Sequence, residues 1–214
     1  FYYEPKLNRW EWQRARCLQT VEDLYTQSFV LPYLAPMLEN AGANVLLPRE
    51  RDCQTAEIII DNDGCLNTNS TYTEHTADKV WRQGTGKGFA HLRPQYIDFE
   101  NPFKEGTFRI AETVKKGKES TAEWIPEIPQ NGQYAVYVSY QTVPNSSDDA
   151  LYTVYHKGGV SQFKVNQKMG GGTWVYLGTF GFDAGKSNAC KVTLSNRSAK
   201  AGQTVTADAV KIGG

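Results

Sequence analysis

The chain has 214 residues, 40% of them hydrophobic, which suffices for one large domain or two small ones with a buried core. Its 23 basic and 23 acidic residues cancel, so no net field draws a polyanion, and a nucleic-acid partner is not expected. No apolar run reaches the roughly 18 residues that a membrane helix needs, no signal peptide opens the chain, and Phe1 in place of a Met reads as a trimmed or processed start.

From Thr20 the chain runs Thr-Val-Glu-Asp, close to a capping box, and a helix is expected to start there. Val21, Leu24, Tyr25, Ser28, Leu31, Tyr33, Leu34, Met37 and Leu38 then fall near one broad face. Pro32 and Pro36 each remove a backbone donor and should kink the helix. Gly42 supplies a left-handed stop, and residues 44–48 follow as a short apolar strand. Helix, glycine and buried strand make one half of an α/β unit, whose natural setting is a parallel or mixed sheet.

This stretch resembles the zinc-dependent N-acetylmuramoyl-L-alanine amidase family, which cuts the bond between sugar and peptide in peptidoglycan. The resemblance covers residues 20–52 and rests on Glu22-Asp23, on 38–45 (LENAGANV) and on 47–52 (LPRERD). It implies an acidic zinc ligand at the helix start, Glu22, with Glu4 and Glu11 as alternatives. A Thr-Arg-x-x-Asp phrase should follow the strand; Arg49 and Asp52 match it, while Pro48 stands in the Thr position. An acid at a helix N-terminus is also stabilised by the helix dipole whatever else it does. Zinc catalysis needs three protein ligands and an open water position, and no histidine precedes Glu22. Zinc is therefore expected only in a longer, intact protein and not in this chain.

Residues 57–60 (EIII) read as a strand, Asp61-Asn62-Asp63-Gly64 as a turn, and the polar stretch 67–76 as an exposed loop. Residues 84–88 (GTGKG) lack the order of a phosphate loop and read as a flexible connection. His75, His91 and His156 form no HxxxH or HExxH motif and are expected to be surface or packing residues. Cys17, Cys53, Cys65 and Cys190 show no CxxC pairing; they read as buried or idle thiols, with a Cys53–Cys65 disulfide as the alternative. No Ser-His-Asp arrangement suggests itself.

Beyond Thr107, short period-two runs rich in Tyr, Val and Phe follow one another with Gly, Asn or Asp turns between them, the pattern of an antiparallel β-sandwich. The glycines at 170–172 read as a hairpin loop that needs positive φ. Five phrases in this region, 132–140 (GQYAVYVSY), 152–159 (YTVYHKGG), 163–167 (FKVNQ), 174–185 (WVYLGTFGFDAG) and 207–212 (ADAVKI), resemble the golvesin C-terminal-like domain of bacterial envelope proteins often labelled xanthan lyase. The resemblance, from about residue 108 to 213, implies a jelly-roll sandwich similar to carbohydrate-binding modules, although such sandwiches host many functions.

Sugar rings stack their apolar face on Trp or Tyr while their hydroxyls bond polar side chains, so the 5 Trp and 12 Tyr are candidate contacts. Trp124 and Trp174 fit core positions; Tyr140, Tyr152, Tyr155 and Gln167 are the candidate glycan-binding residues. Asp208 could anchor a turn or a calcium ion. The fold expected is α+β overall, with a partial amidase-like α/β segment (1–65), a connecting region (66–105) along which the β module is inserted into an amidase-like frame, and an antiparallel jelly-roll-like β-sandwich (106–214). The expected function is that of an extracellular or cell-envelope hydrolase, a zinc-dependent amidase when intact, with a sandwich that binds cell-wall or other glycans. The alternative is a noncatalytic carbohydrate-binding or adhesion module; polysaccharide lyase action is a third reading, for which no base can be named.

Overall fold

The computed structural model describes residues 2–11, 25–26, 29–43, 45, 54–66, 69–93 and 100–214. They fall into two units: Phe1–Arg51 with Ile97–Glu100, and Asp52–Tyr96 with Asn101–Gly214. In the first unit β1 (Tyr2–Glu4) pairs antiparallel with β2 (Arg9–Glu11). A π-helical turn, Val30–Leu34, leads into helix α1, Ala35–Asn40. The amide of Ala35 reaches back five residues to the carbonyl of Val30, and Pro32 and Pro36 have no amide for the usual ladder, which accounts for the widened turn. Gly42, at φ 87°, ends the helix as expected, and the amide of Ala43 bonds the Leu38 carbonyl. The helix start with Glu22, most of the 44–48 strand, Arg49, Asp52, Cys17 and Cys53 lie outside the described residues.

In the second unit the strands are β3 (Glu57–Asp61), β4 (Thr71–His75), β5 (Arg82–Gln83), β6 (Arg109–Glu112), β7 (Thr121–Ile125), β8 (Glu127–Ile128), β9 (Gly132–Val138), β10 (Ala150–His156), β11 (Gly159–Val165), β12 (Val175–Phe182), β13 (Gly185–Lys186), β14 (Lys191–Ser195), β15 (Thr204–Ala207) and β16 (Ala209–Gly213). A five-stranded sheet, β11-β10-β14-β7-β4, and a four-stranded sheet, β12-β9-β16-β3, supply the two sides of one core. Smaller sheets, β15-β6-β5 and β13-β8, flank them, and the paired strands run antiparallel. Period-two patterning decides which side chains meet. Ala122 and Trp124, Ala150, Tyr152 and Val154, and Val192 and Leu194 face Tyr134, Val136 and Val138, Val210 and Ile212, and Ile58 and Ile60. Trp124, fully buried, stacks on Tyr152 at 6.4 Å and meets Tyr72 at 5.3 Å. Its indole N–H, which would be costly to bury alone, donates to the carbonyl of Asp208 at 3.2 Å.

The antiparallel sandwich expected beyond Thr107 is present, and it reaches further back than the sequence suggests. Strand β3, expected in an α/β segment, pairs antiparallel with β16 and belongs to the sandwich. The three adjacent isoleucines fit this place, because Ile58 and Ile60 enter the main core while Ile59 enters a second cluster on the other face. The connecting region is likewise part of the fold: β4, inside the stretch read as an exposed loop, pairs with β7. Its Thr-Tyr-Thr-Glu-His pattern hides a strand because an edge strand with one wet face needs little more apolar content than Tyr72. The described residues are therefore mostly β; helical backbone among them is found at Tyr25, through residues 29–40 and in the 3-10 turn Pro102–Lys104.

Two glycine runs also depart from expectation. Residues 84–88 are a fixed part of the fold, since Gly88 and Gly106 exchange backbone hydrogen bonds of 2.8 and 3.0 Å. A Cβ on Gly88 would stand 2.1 Å from the Thr107 carbonyl oxygen, and one on Gly106 would stand 1.8 Å from that of Phe89, so only glycine allows this approach. Gly170 and Gly172 do have positive φ, 73° and 72°. They carry the chain from β11 in one sheet to β12 in the other, however, and so form a crossover rather than a hairpin.

The outer side of the four-stranded sheet is covered near one end. Phe89, Phe103 and the half-buried Trp174 lie within 4.9–5.5 Å of one another and pack over Ile59 and Ala209. Beneath them Asp208 is buried, and both carboxylate oxygens accept from the Phe89 amide at 3.1 Å. Gln141 Nε2 at 3.3 Å and Ser139 Oγ at 3.4 Å complete its shell. Asp208 thus anchors a neighbouring segment, as a turn anchor would. Asp61, opposite Ala209 in the register, is buried too, and its Oδ1 has no hydrogen-bond partner among the described residues. Burial, with the carboxylates of Asp208 and Asp63 nearby, pushes Asp61 up to about 9. Burial pushes Asp208 up to about 7 against the hydrogen bonds it accepts.

Two predictions follow from this packing. Trp124→Ala should cost about 3–5 kcal/mol of stability in a denaturant titration, because it opens a cavity and frees the Asp208 carbonyl. A loss below about 1 kcal/mol would contradict the core assignment. Stability should also fall with rising pH. Both acids have folded values above the unfolded value near 3.8, so their contribution is complete below that value and is lost as pH rises through about 7 and about 9. Denaturation midpoints measured from pH 5 to 9 should decline, and Asp61→Asn should flatten the decline.

Candidate functional site

The five-stranded sheet turns one face to the core and the other to solvent. Register places Gln162, Thr153, Thr193, Glu123 and Thr73 in one line across all five strands of the outer face. A second line beside it holds Val160, Tyr155 and Lys191, and a third holds Lys164, Leu151, Ser195, Thr121 and His75. The edges of this face are open at Gln162, Val160, Lys164, Thr73 and His75. In its middle Thr153 and Thr193 are only 6% and 8% exposed, a low threonine floor beside the taller Tyr155, Lys191 and Glu123.

The charges on this face are tied down. Lys191 Nζ donates to both oxygens of Glu123 at 3.1 Å and lies 5.4 Å from the centre of the Tyr155 ring. His75 Nε2 stands 3.6 Å from the same carboxylate. The ion pair is largely shielded from water, and it holds the lysine ammonium over the tyrosine ring. The result is a flat face with one aromatic ring and a line of hydroxyl, amide and carboxylate groups, able to take a ligand that has both apolar faces and many hydroxyls.

Of the four glycan candidates, only Tyr155 lies on this face, half-buried. Tyr152 is fully buried on Trp124, with burial holding its phenol far above the ordinary range, and it has no ring face for a sugar. Gln167 is buried and fully used: Nε2 donates to the Tyr152 hydroxyl and the Thr206 carbonyl, and Oε1 accepts from the Thr206 amide. Tyr140 is buried and donates to the Met169 carbonyl at 2.7 Å. These three therefore bind the sandwich together; alternation alone could not reveal it, because Tyr and Gln are equally at home on a wet face and in a satisfied core. Lys191, Glu123, Thr153, Thr193 and Gln162 were not singled out from sequence, and His75 was read as a surface or packing residue, which its exposed place on this face fits. For Glu123, Lys191 and Thr193 the signal is the polar half of the period-two pattern in Thr-Ala-Glu-Trp-Ile and Lys-Val-Thr-Leu-Ser.

His156 stands on the core-facing side of β10 with its ring 4.7 Å from Phe180 and Nε2 3.0 Å from Ser161 Oγ. This pair does not make a nucleophile. The Gly158 amide donates to Nδ1 at 3.1 Å, so the neutral ring keeps its proton on Nε2 and donates to the serine instead of accepting from it. Cys65 and Cys190 are free thiols, and burial pushes the Cys65 thiol up. No group of three or more His, Cys, Asp or Glu residues among the described residues could hold a metal ion.

Comparisons with known proteins place this sandwich. A xanthan lyase of Bacillus sp. (strain GL1) is 33% identical over 96 residues, which cover 45% of this chain and 10% of that protein. The structure of a Paenibacillus xanthan lyase matches with a TM-score of 0.53 at 24% identity, over 73% of this chain and 13% of the other, a likeness of fold. The chain thus spans about a tenth of the length of these relatives. Residues 102–214, just over half of the chain, match the golvesin C-terminal domain, and the chain belongs to that family.

Proposed function

We propose that this chain is a noncatalytic glycan-binding module, and that the outer face of the five-stranded sheet is its binding surface. The observation that carries the reading is the line from Gln162 through Thr153, Thr193 and Glu123 to Thr73, with the ring of Tyr155 beside it. A sugar ring stacked on Tyr155 would set its hydroxyls over the threonine floor and within reach of Gln162 and Glu123. The relatives named xanthan lyase support a polysaccharide as the class of ligand. Binding of this kind suits an extracellular or cell-envelope protein. Amidase action with a Glu22-bound zinc ion is a proposal for a longer protein only, resting on the sequence resemblance of residues 20–52.

A shallow face with one aromatic anchor gains little beyond what it loses in freedom of the ligand, so a Kd of order 10⁻⁴ M is expected. Titration with oligosaccharides, followed by heat or amide chemical shifts, should show shifts clustered on β10, β14 and β7. Tyr155→Ala should weaken binding roughly three- to tenfold without unfolding the chain. No response to any glycan, or shifts confined to the other sheet, would refute this assignment.

A further inference from the structure

At one end of the proposed binding face lies a cleft of about 440 Å³, lined by Asp78, Lys79, Glu112, Lys115 and Lys116 among others. The loop that forms its rim, residues 114–118, is built rather than loose. Arg197, just past β14, donates Nη1 to the Lys115 carbonyl at 3.2 Å and Nη2 to the Gly117 carbonyl at 2.8 Å. Asp78 Oδ2 accepts from the Lys118 amide at 2.9 Å, and Gly117 turns the chain at φ 97° where a Cβ would stand 2.3 Å from that same oxygen. The clamp presents Lys115, Lys116 and Lys118 to solvent, and no carboxylate among the described residues pairs with their ammonium groups. Lys79 and Glu112 cancel one another at 2.5 Å. Lys115, Lys116, Lys118 and Arg197 then stand against Asp78 and Glu119, four charges against two, in a chain whose net charge is zero.

This rim adjoins the sheet face. The Ser120 carbonyl accepts from the Asn196 amide at 3.0 Å, Glu119 accepts from the Ser195 hydroxyl, and Ser195 lies opposite Thr121 in the register. From Lys191, beside Tyr155, to Ser195 is four residues of strand, about 13 Å at some 3.3 Å per residue. We infer that the ligand of the proposed face is an acidic, carboxylate-bearing polysaccharide, whose chain lies along β14 and whose carboxylates meet Lys115, Lys116 and Lys118. The inference rests on the reading of the sheet face as a glycan site. A neutral glycan would leave three preset ammonium groups without a counterpart, whereas spaced carboxylates match them.

The test is a set of titrations of the whole chain with a galacturonate hexamer, a neutral glucose hexamer and inorganic polyphosphate, at about 20 and about 200 mM salt. The uronate should bind roughly five- to tenfold tighter than the neutral sugar at low salt, and the gap should narrow at high salt. Lys115→Ala/Lys116→Ala/Lys118→Ala should abolish the gap while leaving the neutral sugar's affinity unchanged; circular dichroism would establish that this exposed triple variant is folded. Equal affinity for both sugars, weakened by Tyr155→Ala, would overturn the acidic assignment and leave the glycan face standing. Uronate binding that needs the lysines and ignores Tyr155→Ala would support the lysine rim and refute the face. Polyphosphate binding as tight as the uronate would reduce the rim to general charge attraction and overturn the assignment, and silence towards all three would overturn both readings.

Discussion

Asp208 is the residue on which the sandwich turns. It stands where the chain leaves β15 and enters β16, so it joins a flanking sheet to the four-stranded one. Its carboxylate fixes the Phe89 segment, Gln141 and Ser139, while its backbone carbonyl receives the indole of Trp124 from the opposite sheet. Buried polar groups are stable only with their hydrogen bonds made, and here one residue supplies them to an outer cover, to a strand end and to the centre of the core. The alanines on either side, Ala207 and Ala209, are fully buried, which leaves no room for the strand to shift.

The two outer faces of the sandwich consequently differ in character. That of the four-stranded sheet carries Ile59 and Ala209 under a cluster of Phe89, Phe103 and Trp174. That of the five-stranded sheet carries threonines, a lysine–glutamate pair and one tyrosine. A sheet with apolar residues on both faces needs a second layer; a sheet with a polar outer face does not, and can meet a hydrophilic ligand directly. The fold alone would not assign a function, and it is these outer side chains that suit the proposed glycan.

Much of the sandwich was legible because alternation reports burial directly: Trp124 and the strands from Tyr134 onward sit where period two puts them. What was not legible has physical causes. Strand β4 is an edge with a wet face, so its composition is that of a loop, and the isoleucines of β3 look alike whether the strand is parallel or antiparallel. The glycines at 84–88 resemble a mobile connection, but the need for them comes from the Thr107 carbonyl, a partner about twenty residues away. The same limit affected the site. Tyr152, Tyr155 and Gln167 belong to a small stretch of similar side chains, and which of them faces outward is decided by a sheet partner whose register no local pattern encodes.

The pairing of β3 with β16 sets the order in which the module can be made. Of the strands described, one of the earliest in the second unit closes against the last, with some 150 residues between them. During synthesis β3, β4 and β5 emerge long before β16, β7 and β6, their partners in the finished sheets. For that interval β3 is a loose apolar segment in search of an edge, and contacts of such separation form slowly. A cell that makes this module must therefore keep the early isoleucine strand from other chains until the ribosome has delivered the last strand. A piece cut at the family boundary near residue 102 would lack the three early strands altogether and would leave β7 and β16 as open sheet edges, the kind of surface that joins molecules into aggregates.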